Sequence, residues 1–524
     1  MTREKSDTPR EPFRLGQGSS QIATVGLVIM AISHGTIFFS GCSSSVNALS
    51  RERALDASIV DALFEGGQEA GGPPPVTIQS CPAKDGAPAG VGSLPTPSQA
   101  AYQRSELMAY IHLGLETFDG TEQGDSSKDV AALFNPTNVD ATQWVNVFKD
   151  AGFRDVMLTA KHGTGFCLWP SAYTDFSVKN SPWKSGQGDV VKEFTDAMHL
   201  AGMGVGLYLS PWDQHYPSSN PNYETYFRNL LTELLTNYGA VNQIQFDGLY
   251  APKSVDWAGI ARLAKQLQPN ILVWMGPEIA TTGVDVRWIG NQSGQSSRST
   301  SSIADVPNSG PTNAWYPAEA PVSVRMTNWF WHANESLMSL KSLQATYLDT
   351  VGMNATLRLN IPPSTTGQFD ATDVGLLQDF GTWYASLFKT NLVKGLPVTA
   401  DSTWAEPEFD AARVVDGDLC TYWAASSGKK SGRIDVTPAT ALTFSFISIR
   451  EPIELGERTT SYHVELKQNG AWNKTPTDAS GTQIQGTVIG QRQLWQLNPT
   501  TAEAVALVID SAKDVPAIAE FGLY

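Results

Sequence analysis

The sequence predicts an α/β fold in which a (β/α)8 barrel is followed by a β-sandwich. Between residues 101 and 393, short apolar runs alternate with amphipathic stretches, which is the pattern of parallel βα units. Eight such units in about 260 residues are typical of a closed barrel. After Lys394 the helical periodicity fades, and short β-rich segments separated by turn residues indicate a sandwich over residues 394–524.

Each apolar run is short and ends in polar or aromatic residues, as expected for a strand. The predicted barrel strands are Leu107–Leu113, Phe153–Lys161, Gly204–Leu209, Ile244–Gly248, Ile271–Met275, Val286–Gly290, Ser323–Phe330 and Ala355–Ile361. The predicted helices are Ala141–Ala151, Val190–Ala201, Tyr223–Tyr238, Val255–Leu267, Leu337–Val351 and Asp370–Asn391. The predicted sandwich strands include Leu442–Ile449, Ser461–Lys467 and Ala504–Ile509. No helix fits between Met275 and Val286, so we expect the barrel to be irregular there.

The N-terminal segment has the pattern of an export signal. Basic residues at Lys5, Arg10 and Arg14 precede an almost uncharged run over residues 22–41. The run closes at Phe39-Ser40-Gly41-Cys42, which resembles a bacterial lipobox with a lipidated cysteine, although Phe39 replaces the usual aliphatic residue. An uncleaved membrane anchor is the alternative, because the run is about long enough to span a bilayer. Residues 1–42 thus predict an exported protein, in the cell envelope or outside the cell, that contacts the membrane only through this segment.

Residues 43–100 are rich in Ser, Pro, Gly and Ala, with consecutive prolines at 73–75. Such a composition buries little apolar surface, so we expect a tether. Apart from Cys42, the cysteines are Cys81, Cys167 and Cys420. Their spacing fits neither a zinc site nor a disulfide-dense scaffold. We therefore expect neither a metal nor a cofactor.

The charge and the aromatic content bear on the class of ligand. The formal net charge is -16, and no cluster of Lys and Arg offsets it. This argues against nucleic acid as a partner, because phosphate binders need a basic patch. The chain has 15 Trp and 15 Tyr residues, whose flat amphipathic rings suit the apolar faces of sugars but are also ordinary core residues.

Polar residues follow the ends of several predicted strands. In a (β/α)8 barrel the catalytic groups lie at the carboxyl ends of the strands, so these residues are expected to converge. A lone His or Asp is more often structural, but polar residues at corresponding positions of successive units indicate a site. They are His112, His162, Trp212, Asp247, Glu278 and Gln292, with Glu319 and Arg325 near the seventh run.

Six short motifs contain four of these residues, His112, His162, Trp212 and Asp247. The first three are Tyr110-Ile111-His112-Leu113-Gly114, Ala160-Lys161-His162-Gly163-Thr164-Gly165-Phe166-Cys167-Leu168-Trp169-Pro170-Ser171 and Tyr208-Leu209-Ser210-Pro211-Trp212-Asp213. The others are Gln245-Phe246-Asp247-Gly248, Val286-Arg287-Trp288-Ile289-Gly290-Asn291 and Leu359-Asn360-Ile361-Pro362-Pro363. In this order they resemble glycoside hydrolase family 29, the retaining α-L-fucosidases, over residues 105–390. Val414-Val415-Asp416-Gly417-Asp418 and Thr421-Tyr422-Trp423 resemble a discoidin-like module, which binds sugar in some enzymes and only supports the barrel in others.

The resemblance implies an exo-acting glycosidase that releases terminal L-fucose from fucosylated oligosaccharides or glycoconjugates. A retaining enzyme needs a carboxylate nucleophile and, about 5–5.5 Å away, a second carboxyl group that acts first as acid and then as base. The motif match makes Asp247 the nucleophile. The substrate contacts that the resemblance and the strand-end positions predict are His112, His162, Trp169, Trp212 and Arg325.

Two motifs depart from the family pattern. The second histidine of the Lys-His-His motif is Gly163 here, and Thr164 replaces the aspartate that follows. One contact with a sugar hydroxyl is therefore missing or made by another group. The glutamate that serves as acid/base in the most similar branch is Gln292 here. An amide cannot donate the proton that a departing oxygen needs.

Three explanations for Gln292 remain open at this point. The acid/base has moved, with Glu278 as the preferred candidate and Glu319 as the second. Alternatively, the enzyme works without a protein acid and is slow on natural glycosides. Lastly, the chain is a catalytically weak or inactive surface protein that binds fucosides. A related sugar, such as an α-L-galactoside, is a further substrate to consider, because Gly163 removes a bulky contact.

Overall fold

The computed structural model describes residues 81–305, 312–405 and 407–524. Eight parallel strands form a barrel in the order β5-β4-β3-β2-β1-β8-β7-β6. The end strands meet because Trp274 and Val286 form a bridge and the Asp285 amide donates to the Val273 carbonyl at 2.8 Å. The predicted (β/α)8 barrel is confirmed. Its strands are β1 (Leu107–Ile111), β2 (Asp155–Lys161), β3 (Gly204–Leu209), β4 (Gln243–Phe246), β5 (Leu272–Met275), β6 (Arg287–Trp288), β7 (Ala318–Ser323) and β8 (Thr356–Asn360).

The predicted helices are all present in the described residues, with small differences at their ends. Side-chain oxygens of Asp140, Asp189, Asp256 and Ser339 accept hydrogen bonds from the first turns of four helices. Two helices begin later than predicted, because Asp256 and Ser339 take the capping position. The helices are α1 (Pro97–Ser105), α2 (Glu116–Asp119), α3 (Ala141–Asp150), α4 (Val190–Ala201), α5 (Tyr223–Thr236), α6 (Trp257–Leu267), α7 (Leu340–Thr350) and α8 (Ala371–Leu387).

The seventh strand lies earlier than predicted. It spans Ala318–Ser323 and pairs with β8 from Glu319 to Ser323, whereas the residues after Ser323 form turns. Pro321 argues against a strand in the sequence, because proline has no N–H to donate. Here the neighbouring strand β6 pairs only with Ala318 and Glu319, so the missing N–H of Pro321 costs no hydrogen bond on that side. The prediction of Ser323–Phe330 is therefore wrong.

The C-terminal domain consists of antiparallel sheets, as predicted. One sheet has the order β9-β11-β17-β13-β14 with β15 beside β13, and a second has the order β16-β12-β19. Strands β10 and β18 form a separate pair. The strands are β9 (Val398–Ala400), β10 (Trp423–Ala424), β11 (Gly432–Val436), β12 (Leu442–Arg450), β13 (Thr459–Gln468), β14 (Ala471–Asn473), β15 (Gln485–Gly486), β16 (Gln493–Ala502), β17 (Ala504–Ala512), β18 (Ala517–Ile518) and β19 (Glu520–Leu523).

The sandwich contacts the barrel near the amino ends of its strands. Glu106, directly before β1, lies 2.8 Å from the Arg450 guanidinium and 3.2 Å from that of Arg492. The Leu494 amide donates to the Gly352 carbonyl, which precedes β8. These contacts lie at the opposite end of the barrel from the carboxyl ends of the strands. The sandwich therefore supports the barrel without contacting that face through these residues.

The last part of the predicted tether is structured. Within residues 81–96, the Val91 amide donates to the Leu455 carbonyl at 3.0 Å, and the Ala89 carbonyl accepts from Arg458 at 2.8 Å. The tether prediction is therefore wrong for this stretch, which lies on the sandwich, and for residues 97–100, where α1 begins. The predicted signal over residues 1–42, including Cys42, and the tether up to residue 80 lie outside the described residues. In the described part, no helix is long and apolar enough to cross a membrane.

A disulfide joins Cys81 to Cys420, at a sequence separation of 339 residues. Spacing rules do not reveal a bond between such distant cysteines, since only the fold brings them together. We expect that removing it, by Cys81→Ala with Cys420→Ala, lowers the free energy of unfolding by about 2–4 kcal/mol. Thermal unfolding with and without dithiothreitol measures this effect. The double variant is the control, because it has no disulfide to reduce. If dithiothreitol lowered its melting temperature as much as that of the wild type, the disulfide would not be the cause.

Candidate active site

A cavity of about 180 Å³ opens at the carboxyl ends of the barrel strands. Catalytic groups of (β/α)8 barrels lie at this end, whereas residues at the other end serve stability. A larger cavity of about 430 Å³ lies at that other end, beneath α1, and none of the predicted site residues lines it. The smaller cavity is therefore the candidate site. It is lined by Tyr110, His112, His162, Tyr208, Gln245, Asp247, Leu249, Trp274, Gly276, Pro277, Glu278, Trp288, Gln292, Pro321 and Trp329.

Asp247 directly follows β4 and is half-buried in the cavity wall. Its Oδ2 accepts a hydrogen bond from the Tyr208 hydroxyl at 3.0 Å, and its Oδ1 accepts from the Leu249 amide at 3.1 Å. Burial and the Asp247 carboxylate raise the pKa of Tyr208 well above its ordinary value, so the hydroxyl keeps its proton and remains a donor. Asp247 is thus an oriented carboxylate at the cavity surface.

His112 follows β1 and is buried at the inner end of the cavity. Its Nδ1 lies 2.7 Å from Asn360 Oδ1, while the Asn360 amide nitrogen donates to Ser323 Oγ and to the Trp329 carbonyl. Because Asn360 can only accept at Oδ1, the proton of His112 is on Nδ1. Burial, with the neighbouring His162, lowers the pKa of His112 to about 3. At neutral pH its Nε2 therefore carries no proton and can accept a hydrogen bond from a ligand hydroxyl.

His162 follows β2 and is held by Glu116 of α2. The Nδ1 of His162 lies 3.0 Å from Glu116 Oε1, and the Glu116 side chain is fully buried. A carboxylate only accepts, so Nδ1 carries a proton and Nε2 is left for the cavity. Glu116 can take this position only because residue 114 is glycine, since a Cβ on Gly114 would collide with Glu116 Oε2. The ring of His162 also stacks on that of Tyr208, with centroids 5.7 Å apart.

The space beside Gly163 is filled by Trp212. A Cβ built on Gly163 would lie 2.5 Å from Cε3 of the Trp212 ring, so no larger residue fits unless that ring moves. Trp212 itself stands beside the cavity rather than among its lining residues. The space next to Gly163 is therefore closed by an indole ring.

Glu278 and Gln292 both line the mouth of the cavity and are exposed. The Glu278 carboxylate lies over Gly248, the residue after Asp247, because a Cβ on Gly248 would collide with Glu278 Oε2. Gln292 lies on a left-handed turn, with φ of 46° at Asn291 and 63° at Gln292. The structure thus places Glu278 beside Gly248, the residue after Asp247, and keeps Gln292 on the wall formed after β6.

Glu319 lies far from the cavity mouth, so its prediction as a second acid/base candidate is wrong. It is the second residue of β7, near the amino end of the strand, and its exposed fraction is 0%. Its Oε2 accepts from the Arg358 guanidinium at 2.7 Å and from the Tyr102 hydroxyl. The error follows from the misplaced seventh strand, since Glu319 precedes the predicted run but begins the real one.

Arg325 and Trp169 are also not at the cavity. Arg325 is 4% exposed and donates to Asp373 at 2.6 Å and to Asp370 at 3.1 Å, beside the start of α8. Trp169 is 1% exposed, and its indole N–H donates to Glu233 of α5 at 2.9 Å. Both side chains are buried and hydrogen-bond to carboxylates of the protein. Their prediction as substrate-binding residues is therefore wrong.

Several lining residues were not predicted. Tyr110 precedes His112 by two positions and Gln245 precedes Asp247 by two, and alternate residues of a strand face the same side. This alternation was a signal for both, and their side chains hydrogen-bond each other. No such signal exists for Trp329, which lies in the irregular segment after β7 with its ring 5.2 Å from that of His112.

The lowered pKa of His112 predicts a pH dependence of stability. Since its pKa is about 3 in the folded protein, against an ordinary value of 6.5, the unfolded chain binds more protons between these pH values. The stabilisation is present above pH 6.5 and is lost towards pH 3, by at most about 1.4 kcal/mol per pH unit. We expect the melting temperature of His112→Asn to fall less than that of the wild type between pH 7 and 4. His199→Asn, at an exposed histidine, is the control, and parallel pH profiles for His112→Asn and wild type would contradict the prediction.

In the described ranges, no three His, Cys, Asp or Glu side chains are grouped as metal ligands would be. The cavity is instead defined by two oriented histidines, one oriented carboxylate and a ring of aromatic side chains. Polar groups that converge in an aromatic-lined pocket at this end of a barrel are typical of a site for a small polar ligand.

Comparisons with known proteins identify the family. The α-L-fucosidase family model matches residues 101–387, and the F5/8 type C domain model matches residues 397–521. The chain is 35% identical over 459 residues to α-L-fucosidase 1 of Arabidopsis thaliana, covering 82% of this chain and 87% of that protein. It also resembles the solved GH29 fucosidase of Ruminococcus gnavus in complex with fucose, with a TM-score of 0.76, 29% identity and coverage of 85% and 97%. The solved structure of SpGH29 gives a TM-score of 0.76, 30% identity and coverage of 83% and 99%. With its barrel, its discoidin-like domain and these relatives, the chain belongs to the α-L-fucosidase family, glycoside hydrolase family 29.

Proposed function

We propose that this protein is an exo-acting, retaining α-L-fucosidase that releases terminal L-fucose from fucosylated glycans. The observation that carries the proposal is the Asp247 carboxylate, held by Tyr208 at the wall of a small cavity that also contains two histidine acceptors. An Asp247 oxygen attacks the anomeric carbon of the fucoside, and the bond to the leaving-group oxygen breaks as that oxygen takes a proton. Water then attacks the glycosyl-enzyme ester and gives up a proton, which releases fucose and restores Asp247.

The cavity suits one terminal polar sugar. Its volume is about 180 Å³. Two of its lining residues, Tyr110 and Gln245, hydrogen-bond to each other. The indole N–H groups of Trp274 and Trp288 are buried, and neither has a protein acceptor in the described part of the chain. Buried donors usually have a partner, and hydroxyl groups of a sugar would supply one. A cavity of this size with unpaired donors supports binding of a single sugar at the end of a glycan.

Glu278 is the group we assign as acid/base. Its carboxylate lies over Gly248, adjacent to the nucleophile, and is exposed at the mouth where a leaving group would depart. A retaining glycosidase needs its second carboxyl group about 5–5.5 Å from the first. Gln292 lines the same mouth but cannot supply the proton. The position of Glu278, over the residue that follows Asp247, therefore favours a moved acid/base over an enzyme without one.

Gln292 also supports a second candidate function, a fucoside-binding protein with weak or no turnover. The two functions share the fucose pocket and differ in whether Asp247 becomes glycosylated. A substrate with an added hydroxymethyl oxygen, such as an α-L-galactoside, is less favoured than the sequence alone suggests, because Trp212 occupies the space at Gly163.

The experiment that tests the function is turnover of aryl α-L-fucoside and aryl α-L-galactoside by the full chain. We expect the fucoside to be cleaved faster, with the α-anomer of fucose as first product by NMR. Incubation with a 2-deoxy-2-fluoro-fucosyl fluoride is expected to leave a fucosyl adduct on Asp247, located by mass spectrometry. Binding of fucose with neither turnover nor an adduct would replace the hydrolase by the binding protein.

Export to the cell envelope or beyond is the location we propose, with residues 1–42 as signal or anchor. The Cys81–Cys420 disulfide supports an oxidising compartment, since such bonds are rare in the cytosol. Mass spectrometry of the mature N-terminus tests the signal. A lipidated Cys42 is the expected result, and a protein that retains residue 1 would contradict cleavage.

A further inference from the structure

Two aromatic side chains stand outside the cavity, on the side where β3 and β4 end. Tyr250 is 61% exposed, and its ring centroid lies 4.7 Å from that of the half-buried Trp212, with the two ring planes at 55° to each other. Leu249, the neighbour of Tyr250, is 46% exposed and lines the cavity mouth. Large apolar groups exposed together beside a site are uncommon on a soluble protein unless they bind something. We name Trp212 and Tyr250 the aromatic platform.

The aromatic platform is held in place by the residues beneath it. The Trp212 amide donates to Ser210 Oγ at 3.1 Å, and the Trp212 carbonyl accepts from Lys161 at 3.1 Å. The Trp212 ring rests on Gly163, which has no side chain to displace it. Tyr250 has a left-handed backbone with φ of 55°, which is unfavourable for a residue with a Cβ. Backbone strain that positions an exposed ring beside a site is consistent with a binding role.

The platform is continuous with the proposed fucose site on two sides. Trp212 covers Gly163, the residue after His162, and Tyr250 follows Leu249, and both His162 and Leu249 line the cavity. Since the cavity accommodates a single sugar, the remainder of a fucosylated glycan must leave through the mouth and pass over the surrounding surface. An aromatic face presents the apolar complement to one face of a pyranose ring.

We propose that Tyr250, supported by Trp212, binds the sugar to which fucose is attached, by stacking on its pyranose ring. The proposal rests on the α-L-fucosidase function proposed above and adds a determinant of leaving-group specificity to it. Any pyranose with an apolar face can stack on an aromatic ring. The platform therefore favours glycan leaving groups over small ones without selecting a linkage by itself. Tyr250 contributes through its ring, because no hydrogen bond of its hydroxyl is needed for stacking.

The test compares two substrates that share fucose and differ in the leaving group. One is α-L-fucosyl fluoride, whose leaving group is too small to reach the platform, and the other is the fucosyl disaccharide that the wild type cleaves best from a panel of linkages. Tyr250→Ala is expected to lower kcat/KM for the disaccharide about tenfold relative to kcat/KM for the fluoride. Tyr250→Phe should keep the wild-type ratio. Tyr173→Ala, at another exposed tyrosine that does not line the cavity, is the control for general effects of removing a surface ring.

If Tyr250→Ala lowered kcat/KM equally for both substrates, or for neither, the proposed role of the platform would be wrong. Failure of the proposed function is distinguishable, because then the wild type hydrolyses neither the fluoride nor any disaccharide of the panel. In that case binding decides, measured by calorimetry in the Asp247→Ala background with free fucose and with the disaccharide of the panel that binds most tightly. The platform predicts that Tyr250→Ala weakens binding of the disaccharide about tenfold and leaves binding of fucose unchanged, and any other outcome contradicts it.

Discussion

Replacing Asp247 with alanine is expected to lower kcat/KM for aryl α-L-fucosides by at least about 10,000-fold, since no other group can form the glycosyl-enzyme ester. Asp247→Asn is the matched variant, because its amide oxygen can still accept from the Tyr208 hydroxyl that now holds Oδ2 at 3.0 Å. Both variants should be inactive while binding fucose, which separates loss of chemistry from loss of the pocket. Activity is followed by release of the aryl group, and binding by calorimetry.

Azide provides a further check on Asp247. In Asp247→Ala the removed carboxylate leaves room for a small anion on the same face of the sugar. Sodium azide is therefore expected to restore aryl release and to yield β-L-fucosyl azide, the product of a single inversion. Recovery of the α-azide, or a residual rate near that of the wild type, would show that another residue attacks the anomeric carbon.

The second large effect is expected for Glu278→Gln. Hydrolysis of a natural fucosyl disaccharide should fall by about 100- to 10,000-fold, the usual contribution of a general acid. An aryl fucoside with a good leaving group needs no proton, so its first step should remain fast. Its second step lacks the base that activates water, so the glycosyl-enzyme accumulates and aryl release shows a burst. Rapid kinetics on both substrates measures this difference.

Gln292→Glu is the matched control for that experiment. It restores the glutamate of the family pattern at the same mouth, 14 positions further along the chain than Glu278. If Glu278 is the acid/base, this variant hydrolyses the disaccharide little faster than the wild type does. A large gain, together with a Glu278→Gln variant that cleaves the disaccharide normally, would show that the wild type lacks a protein acid.

The secondary structure was predictable because its signals are local. Helices α3 and α4 begin where expected, since Asp140 and Asp189 cap them directly before an amphipathic run. Strand β7 lies earlier than predicted, and whether a strand can contain Pro321 depends on how short the neighbouring β6 is. Only the assembled sheet contains that information.

The site was predictable to the extent that it depends on where strands end. His112, His162, Asp247, Glu278 and Gln292 lie around one cavity, as residues that follow parallel strands should. The position of a residue after a strand does not determine which way its side chain points. Trp169, predicted from its motif, and Arg325, predicted from its place near the seventh run, instead contact carboxylates of α5 and α8.

By itself, the sequence determined the barrel, the sandwich, the family and the position of Asp247, because each rests on periodicity or on short motifs. Tertiary structure alone decided which residues meet across long separations. It pairs Cys81 with Cys420, sets the tautomer of His112 through Asn360, and lays Trp212 over Gly163. Each of these contacts joins different elements of the chain. Their geometry follows from packing the whole barrel, and no local pattern of residues specifies it.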